Sequence, residues 1–139
     1  MTVNSVSRIC LFATIALGLA VGGCGGGPTL GRVEGTVSLD GKPLPNAKVE
    51  FQPTSGSPSY GETDAAGFYS LMFSPGNEGA IPGQHIVRIS TYQADPKPGS
   101  TEFTPESVPE IYNSQSTLKE TVETGSQTID FNLTTPSAD

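Results

Sequence analysis

The sequence is poor in the side chains that most enzyme chemistry requires. Its 139 residues include two cysteines, one histidine and no tryptophan. A single histidine argues against a metallopeptidase zinc centre, because catalytic zinc takes several histidine and carboxylate ligands. A Gly-x-Ser-x-Gly elbow is also missing from the sequence, so a serine hydrolase triad would have to use His85. We therefore predict that the protein is not an enzyme and has no cofactor.

Basic residues are scarce as well. Seven Lys and Arg stand against fourteen Asp and Glu, which gives a formal net charge of −7. Nucleic acids are held mainly by cationic side chains, so the composition predicts no nucleic-acid partner. The same charge argues against an electrostatic hold on anionic lipid.

The N-terminus has the pattern of a bacterial lipoprotein precursor. Arg8 precedes an apolar run over residues 9–20, and Val21-Gly22-Gly23-Cys24 follows. The run is shorter than the roughly 20 residues of a membrane-spanning helix and is typical of a signal peptide. We predict a lipoprotein signal peptide over residues 1–23 and lipidation of Cys24. Acyl chains such as palmitate on Cys24 would hold the protein in the membrane, on the periplasmic side of the cell envelope or on the cell surface.

Cleavage before Cys24 sets the predicted domain organisation. It would remove Arg8 and change the formal net charge from −7 to −8. It would also remove Cys10, which leaves the mature domain without a thiol for disulfides. The glycine-rich residues 24–30 read as a flexible tether, residues 31–134 as one domain, and residues 135–139 as a polar tail.

From Gly31 onward the hydrophobic pattern has a period of two, which is typical of half-buried strands. Turn signals at Asp40-Gly41 and over residues 64–67 separate the strands. We expect the third strand, which is short and polar, at a sheet edge. We expect the last two strands to form a hairpin across residues 124–126. The seven predicted strands cover residues 31–39, 47–52, 60–63, 68–73, 84–92, 117–123 and 127–133.

Seven short strands without helical periodicity predict an all-β fold, a seven-stranded Greek-key β-sandwich, with an open barrel as the alternative. The blocks 35–51, 63–69 and 82–89, in that order, resemble the carboxypeptidase regulatory-like domain. That family is similar to transthyretin-like and collagen-adhesin B-type modules. Residues 109–118 also resemble the later part of small bacterial lipoproteins built from this module alone. The resemblance implies a seven-stranded sandwich with a non-catalytic accessory or envelope role.

The remaining polar candidates each have a structural interpretation beside a functional one. We expect His85 to be a structural strand residue, with a pH-sensing role as the alternative. A purine-pathway hydrolase of the transthyretin-like fold depends on several His and Arg residues. This sequence offers only His85, Arg32 and Arg88 after the signal peptide. It also lacks that family's C-terminal tetrapeptide.

Two further sites can be considered. Asp95, Glu102, Glu106 and Glu110 could surround a calcium ion, but they lack the closely alternating ligands of a calcium loop, so solvated acidic surface is favoured. Collagen-adhesin-like modules sometimes carry a Lys–Asn isopeptide bond in a dry core. The candidates here would be Lys48 and Asn132, and the strand alternation places both outward.

Residues 93–116 form the one long stretch without predicted regular structure. They include four prolines, and loops longer than about 15 residues are usually functional or disordered. We predict a lipid-anchored extracytoplasmic module of unknown ligand that meets an envelope protein through this segment. The alternative is a carbohydrate-binding module, with surface tyrosines as the stacking platform. The tyrosines are Tyr60, Tyr69, Tyr92 and Tyr112, of which Tyr69 is a candidate core residue and the last two flank the segment.

Overall fold

The computed structural model describes residues 26–91 and 105–137. The predicted signal peptide lies outside the described residues. So do Cys24, Tyr92, Asp95 and Glu102. Across the described part, no helix has the length and apolar character needed to cross a membrane.

The protein is all-β, as predicted. Within residues 26–91 and 105–137, eleven short strands form one five-stranded and one six-stranded sheet, where the sequence predicted seven longer strands. A 3-10 helix, Glu110–Tyr112, lies between the eighth and ninth strands. The strands are β1 (Gly31–Leu39), β2 (Lys42–Pro43), β3 (Lys48–Pro53), β4 (Ser59–Glu62), β5 (Phe68–Ser70), β6 (Met72–Ser74), β7 (Asn77–Glu78), β8 (Gly83–Ser90), β9 (Lys119–Val122), β10 (Gly125–Thr128) and β11 (Phe131–Leu133).

Strand β1 is the centre of the five-stranded sheet. It pairs antiparallel with β2 and β5 on one side, and parallel with β10 and β11 on the other. The six-stranded sheet has the order β7-β6-β4-β3-β8-β9, with every pair antiparallel. Both sheets contribute to one core, as expected of a sandwich. The Phe51 ring of the six-stranded sheet lies 6.1 Å, between centroids, from the Phe131 ring of the five-stranded sheet.

The predicted alternation is confirmed in the long strands. In β1, β3 and β8 every second side chain is buried and the intervening ones are exposed or half-buried. Burying each of the Val, Ile and Phe side chains among them contributes about 1.5–3 kcal/mol to the free energy of folding. The main hydrophobic core is built from Val33, Val37, Val49, Phe51, Tyr69, Leu71, Val87, Ile89, Val122, Phe131 and Leu133.

The predicted turns are also confirmed. Asp40 and Gly41 both have positive φ, 51° and 81°, as a two-residue hairpin turn of type I′ requires. At the second turn the Asp64 carboxylate accepts hydrogen bonds from the backbone N–H of Ala66 (2.9 Å) and Phe68 (3.0 Å). Gly67 there has a φ of 78°, which glycine adopts without strain.

The predicted fourth strand is wrong as a single element, because it crosses between the sheets. Its first part, β5, pairs with β1, and its second part, β6, pairs with β4 and β7. Leu71 sits at the crossing and is fully buried. Its N–H donates to the carbonyl of Val33 (2.9 Å), and its carbonyl accepts from Gly79 (2.8 Å). The predicted edge position of the third strand is wrong for the same reason, since β6 covers β4 through the pair Tyr60–Met72.

The predicted C-terminal hairpin is also wrong. Strand β9 pairs with β8 in one sheet, whereas β10 and β11 pair with β1 in the other. The crossing passes close over two glycines of β1. A Cβ on Gly31 would lie 2.0 Å from the carbonyl oxygen of Glu123, and one on Gly35 would lie 1.9 Å from that of Ile129. Glycine is needed where another backbone approaches this closely.

The strand directions define two ends of the sandwich. At the tether end, the N–H of Gly31 donates to Ala80 (2.9 Å), just before β8 begins. At the far end, β1 stops at Leu39 opposite Leu133. At about 3.3 Å per residue, β1 carries the chain roughly 27 Å from one end to the other. The far end also holds Thr135, whose N–H and hydroxyl donate to the Asp40 carboxylate at 2.8 and 2.7 Å.

Candidate functional site

The described half of the long predicted loop folds against the far end of the sandwich. We call residues 105–116, together with Ser90 and Thr91 where β8 ends, the far-end surface. Val108 is only 3% exposed within this surface, and the half-buried Tyr112 packs against the core. The expectation of a stretch without regular structure is therefore wrong for residues 110–112, which form the 3-10 helix.

Glu106 is the organising side chain of the far-end surface. Its carboxylate accepts hydrogen bonds from the backbone N–H groups of Thr91 and Val108, both at 2.9 Å, and from the Thr91 hydroxyl at 2.8 Å. The Ser90 hydroxyl donates to it as well. The N–H of Ser107 donates to the Thr91 hydroxyl at 2.8 Å. These contacts hold Pro105–Val108 against the end of β8. Thr91 and Glu106, which flank residues 92–104 in the sequence, are therefore in direct hydrogen-bond contact.

The hydrogen bonds also decide the charge state of Glu106. Burial alone would raise the pKa of this carboxyl, but the bonds from Ser90, Thr91 and Val108 outweigh burial and hold the pKa below its ordinary value. The group is therefore ionised at neutral pH. Hydrogen bonds to an ionised acceptor are stronger than those between neutral groups. Here they stabilise the attachment of Pro105–Val108 to the end of β8.

Polar contacts anchor the rest of the far-end surface. Thr134 donates its backbone N–H to the Tyr112 hydroxyl at 3.3 Å. The Asn113 side chain donates to the Val108 carbonyl (3.0 Å), and the Ser116 hydroxyl donates to that of Val87 (2.5 Å). Ile111 stays 44% exposed. The polar groups of the far-end surface bond both to backbone and to one another, and they hold residues 105–116 against the end of β8.

The calcium alternative to a solvated acidic surface gains no support from its two described members, Glu106 and Glu110. The Glu106 carboxylate accepts the hydrogen bonds from Ser90, Thr91 and Val108. Glu110 accepts a hydrogen bond from the Gln115 side chain at 2.9 Å. Over residues 26–91 and 105–137, no group of three or more His, Cys, Asp or Glu side chains could hold a metal ion. Asp95 and Glu102 lie outside these ranges.

His85 is a strand residue, as predicted. It lies in β8 with 2% of its surface exposed, and its ring centroid is 5.7 Å from that of Phe51. Nε2 donates to the Ile81 carbonyl at 2.7 Å. Among the described residues Nδ1 has no hydrogen-bond partner. Neither arginine shares a site with His85. Arg32 forms a surface ion pair with Glu78 (2.7 Å) between the two sheets. Arg88 forms an ion pair with Glu50 (3.2 Å) on the outer face of the six-stranded sheet.

Lys48 and Asn132 are not brought together. Lys48 belongs to the six-stranded sheet, where its ammonium lies 4.5 Å from the centroid of the Tyr60 ring. Asn132 belongs to the five-stranded sheet, where its side-chain oxygen accepts a hydrogen bond from the Ser38 hydroxyl at 2.8 Å. Both side chains are exposed, as predicted, so neither provides the dry setting that an isopeptide bond needs.

The described tyrosines do not share a platform. Tyr69 is buried, and its hydroxyl donates to the Ile129 carbonyl at 2.7 Å. Burial, followed by the nearby charges of Asp130 and Glu120, raises the pKa of Tyr69. Tyr60 is exposed on the outer face of the six-stranded sheet, while Tyr112 lies at the far end. Tyr92, the other member of the expected surface pair with Tyr112, lies outside the described residues, so the carbohydrate-binding alternative stays a prediction.

Two polar contacts have no local signature in the sequence. The hydrogen bonds to Glu106 match no motif, because the donors belong to residues 90, 91 and 108, which lie in two separate segments. The Asp40–Thr135 contact joins residues 95 positions apart. Long-range pairs of this kind leave no local pattern.

Comparison with known proteins adds no identity. No family model matches the chain, and neither the curated proteins nor the solved structures contain a match. The resemblance to the carboxypeptidase regulatory-like domain therefore stays a prediction from the sequence.

Proposed function

We propose that this protein is a lipid-anchored, extracytoplasmic envelope protein whose sandwich acts as a non-catalytic structural or protein-interaction module. The signal pattern ending at Cys24 supports the anchor. The three sequence blocks that resemble the carboxypeptidase regulatory-like domain, with its Greek-key sandwich, support the module. The membrane is the first partner, reached through acyl chains on Cys24, and an envelope protein is the second.

The opposite placement of the tether and the far-end surface carries this proposal. The tether enters β1 at Gly31, where the N–H contacts Ala80. The far-end surface lies at the other end of β8, where Glu106 binds Ser90 and Thr91. A domain held through Cys24 would present this surface away from the bilayer. Residues 93–116 would then be the part of the domain that a partner reaches first.

The anchor is tested by replacing Cys24 with serine. We expect the wild-type chain to be recovered in the membrane fraction, with a mature N-terminus that carries an acyl mass. The Cys24→Ser variant should lose both the acyl mass and the membrane location. A wild-type chain that is unprocessed or freely soluble would overturn the anchor.

The interaction surface is tested by exchanging residues 93–104 for a Gly-Ser link while keeping Glu106 and its donors. The matched control replaces the exposed loop of residues 54–57 at the tether end. Cross-linking in intact cells, followed by affinity capture, should give a partner band that the control keeps and the exchange loses. An unchanged set of cross-linked partners would count against this surface.

A further inference from the structure

Strand β9 is an edge strand whose outer backbone groups can be assigned. Among the described residues it pairs with β8 only. The N–H of Val87 donates to the Leu118 carbonyl at 2.9 Å. Since backbone groups alternate in direction along a strand, Glu120 and Val122 also turn toward β8. The backbone groups of residues 119, 121 and 123 turn away from β8, and such unpaired groups are a template for another strand.

Gln127 covers part of this edge from the opposite sheet. It lies in β10, opposite Val33 of β1. Its side-chain Nε2 donates to the Thr121 carbonyl at 3.1 Å, and its Oε1 accepts from the Glu123 N–H at 2.6 Å. One carboxamide thus occupies an outward carbonyl and an outward N–H of β9 that the backbone of an added strand would otherwise bond.

The sequence of the edge is complementary to itself. The side chains of Lys119, Thr121 and Glu123 are all exposed. If two copies paired antiparallel about Thr121, Lys119 of each copy would lie opposite Glu123 of the other, and the two threonines would face each other. Opposite charges and threonine pairs both stabilise cross-strand neighbours. A two-fold axis makes every such contact twice.

We propose that Gln127 is a side-chain latch on the β9 edge, and that a second copy of this chain pairs antiparallel with β9 when the latch is removed. The latch holds the protein as a monomer in dilute solution. The dimer forms by exchanging the carboxamide bonds of Gln127 for backbone bonds of the partner strand.

The test compares the full-length protein in detergent with two glutamine variants by sedimentation velocity over a range of concentrations. Gln127→Ala should raise the dimerisation constant at least about tenfold, equivalent to about 1.4 kcal/mol. Gln115→Ala is the matched control, because Gln115 also donates a side-chain hydrogen bond, to Glu110, away from β9. A folded Gln127→Ala variant with the monomer fraction of the wild type would overturn the latch.

A charge exchange tests the pairing register. In the Gln127→Ala background, Lys119→Glu should dissociate the dimer, and adding Glu123→Lys should restore it. Dimerisation that ignores both changes would overturn antiparallel pairing through β9. If Gln127→Ala does not fold, Gln127→Glu serves in its place, because it keeps the shape of the side chain and loses the donor to Thr121.

Discussion

Glu106 shows how a single carboxylate can hold a surface segment in place. Four hydrogen bonds to its carboxylate come from the end of β8 and from the backbone N–H of the buried Val108. Sequence analysis identified Glu106 only as one member of an acidic set. At this scale the local turns were predictable, because Asp64 and Gly67 act on residues within four positions. The partners of Glu106 were not, because they depend on where β8 ends in space.

Glu106→Gln should lower the free energy of unfolding at pH 7 by about 1–2 kcal/mol, as measured by urea denaturation. Because the pKa of Glu106 lies below its ordinary value in the folded state, its contribution is present above the unfolded pKa of about 4.3 and is lost as pH falls through the folded pKa. The difference between variant and wild type should therefore shrink at pH 3. Glu62→Gln, at an exposed position, is the control, and an equal effect of both changes would contradict the role of Glu106.

At the scale of the strand, the sequence pattern located the strands better than it located their sheets. The alternation in β1, β3 and β8 predicted the buried faces, and it placed the ends of these strands within two residues. It could not show that residues 68–73 divide at Leu71, because a strand that changes sheets keeps its alternation. The same limit applies to residues 117–133, where the glycines that admit the crossing lie in β1.

Leu71→Ala tests the first crossing. Leu71 is fully buried, so its truncation leaves a cavity between the sheets and should cost about 2–5 kcal/mol in the free energy of unfolding. Its neighbour Met72 is 38% exposed, and Met72→Ala should cost under about 0.5 kcal/mol. Thermal or urea unfolding distinguishes the two variants, and equal losses would contradict the burial of Leu71 at the point where the chain passes from one sheet to the other.

Gly35→Ala tests the close packing of the link between β10 and β11 against β1. The added methyl would lie 1.9 Å from the Ile129 carbonyl oxygen, and backbone must move to admit it. We expect a loss of about 1–3 kcal/mol or more in the free energy of unfolding. Gly27→Ala is the control, because no atom lies within 4 Å of its added Cβ. A Gly35→Ala variant as stable as the control would contradict the close approach of the link between β10 and β11 to β1.

At the scale of the whole molecule, the proposed anchor predicts an orientation. Asn77 lies beside Glu78, whose carboxylate pairs with Arg32 near the tether end, and Ile111 lies on the far-end surface. A fluorophore on an Asn77→Cys variant in vesicles should be quenched strongly by a lipid-attached quencher. The same label on Ile111→Cys should be quenched weakly. Equal quenching at both sites would contradict the orientation.

The pairing of β1 with the C-terminal strands also constrains when the protein can fold. The backbone N–H of Thr36 in β1 donates to the carboxylate of Asp130, 94 residues further along the chain, and β1 is the strand on which the five-stranded sheet is built. Contacts between such distant residues form slowly. An exported chain would therefore emerge from its secretion channel with β1 able to pair with β2 and β5 on one side, while its other edge still lacked β10 and β11. Until the final residues cleared the channel, that strand would be open to capture by chaperones or proteases.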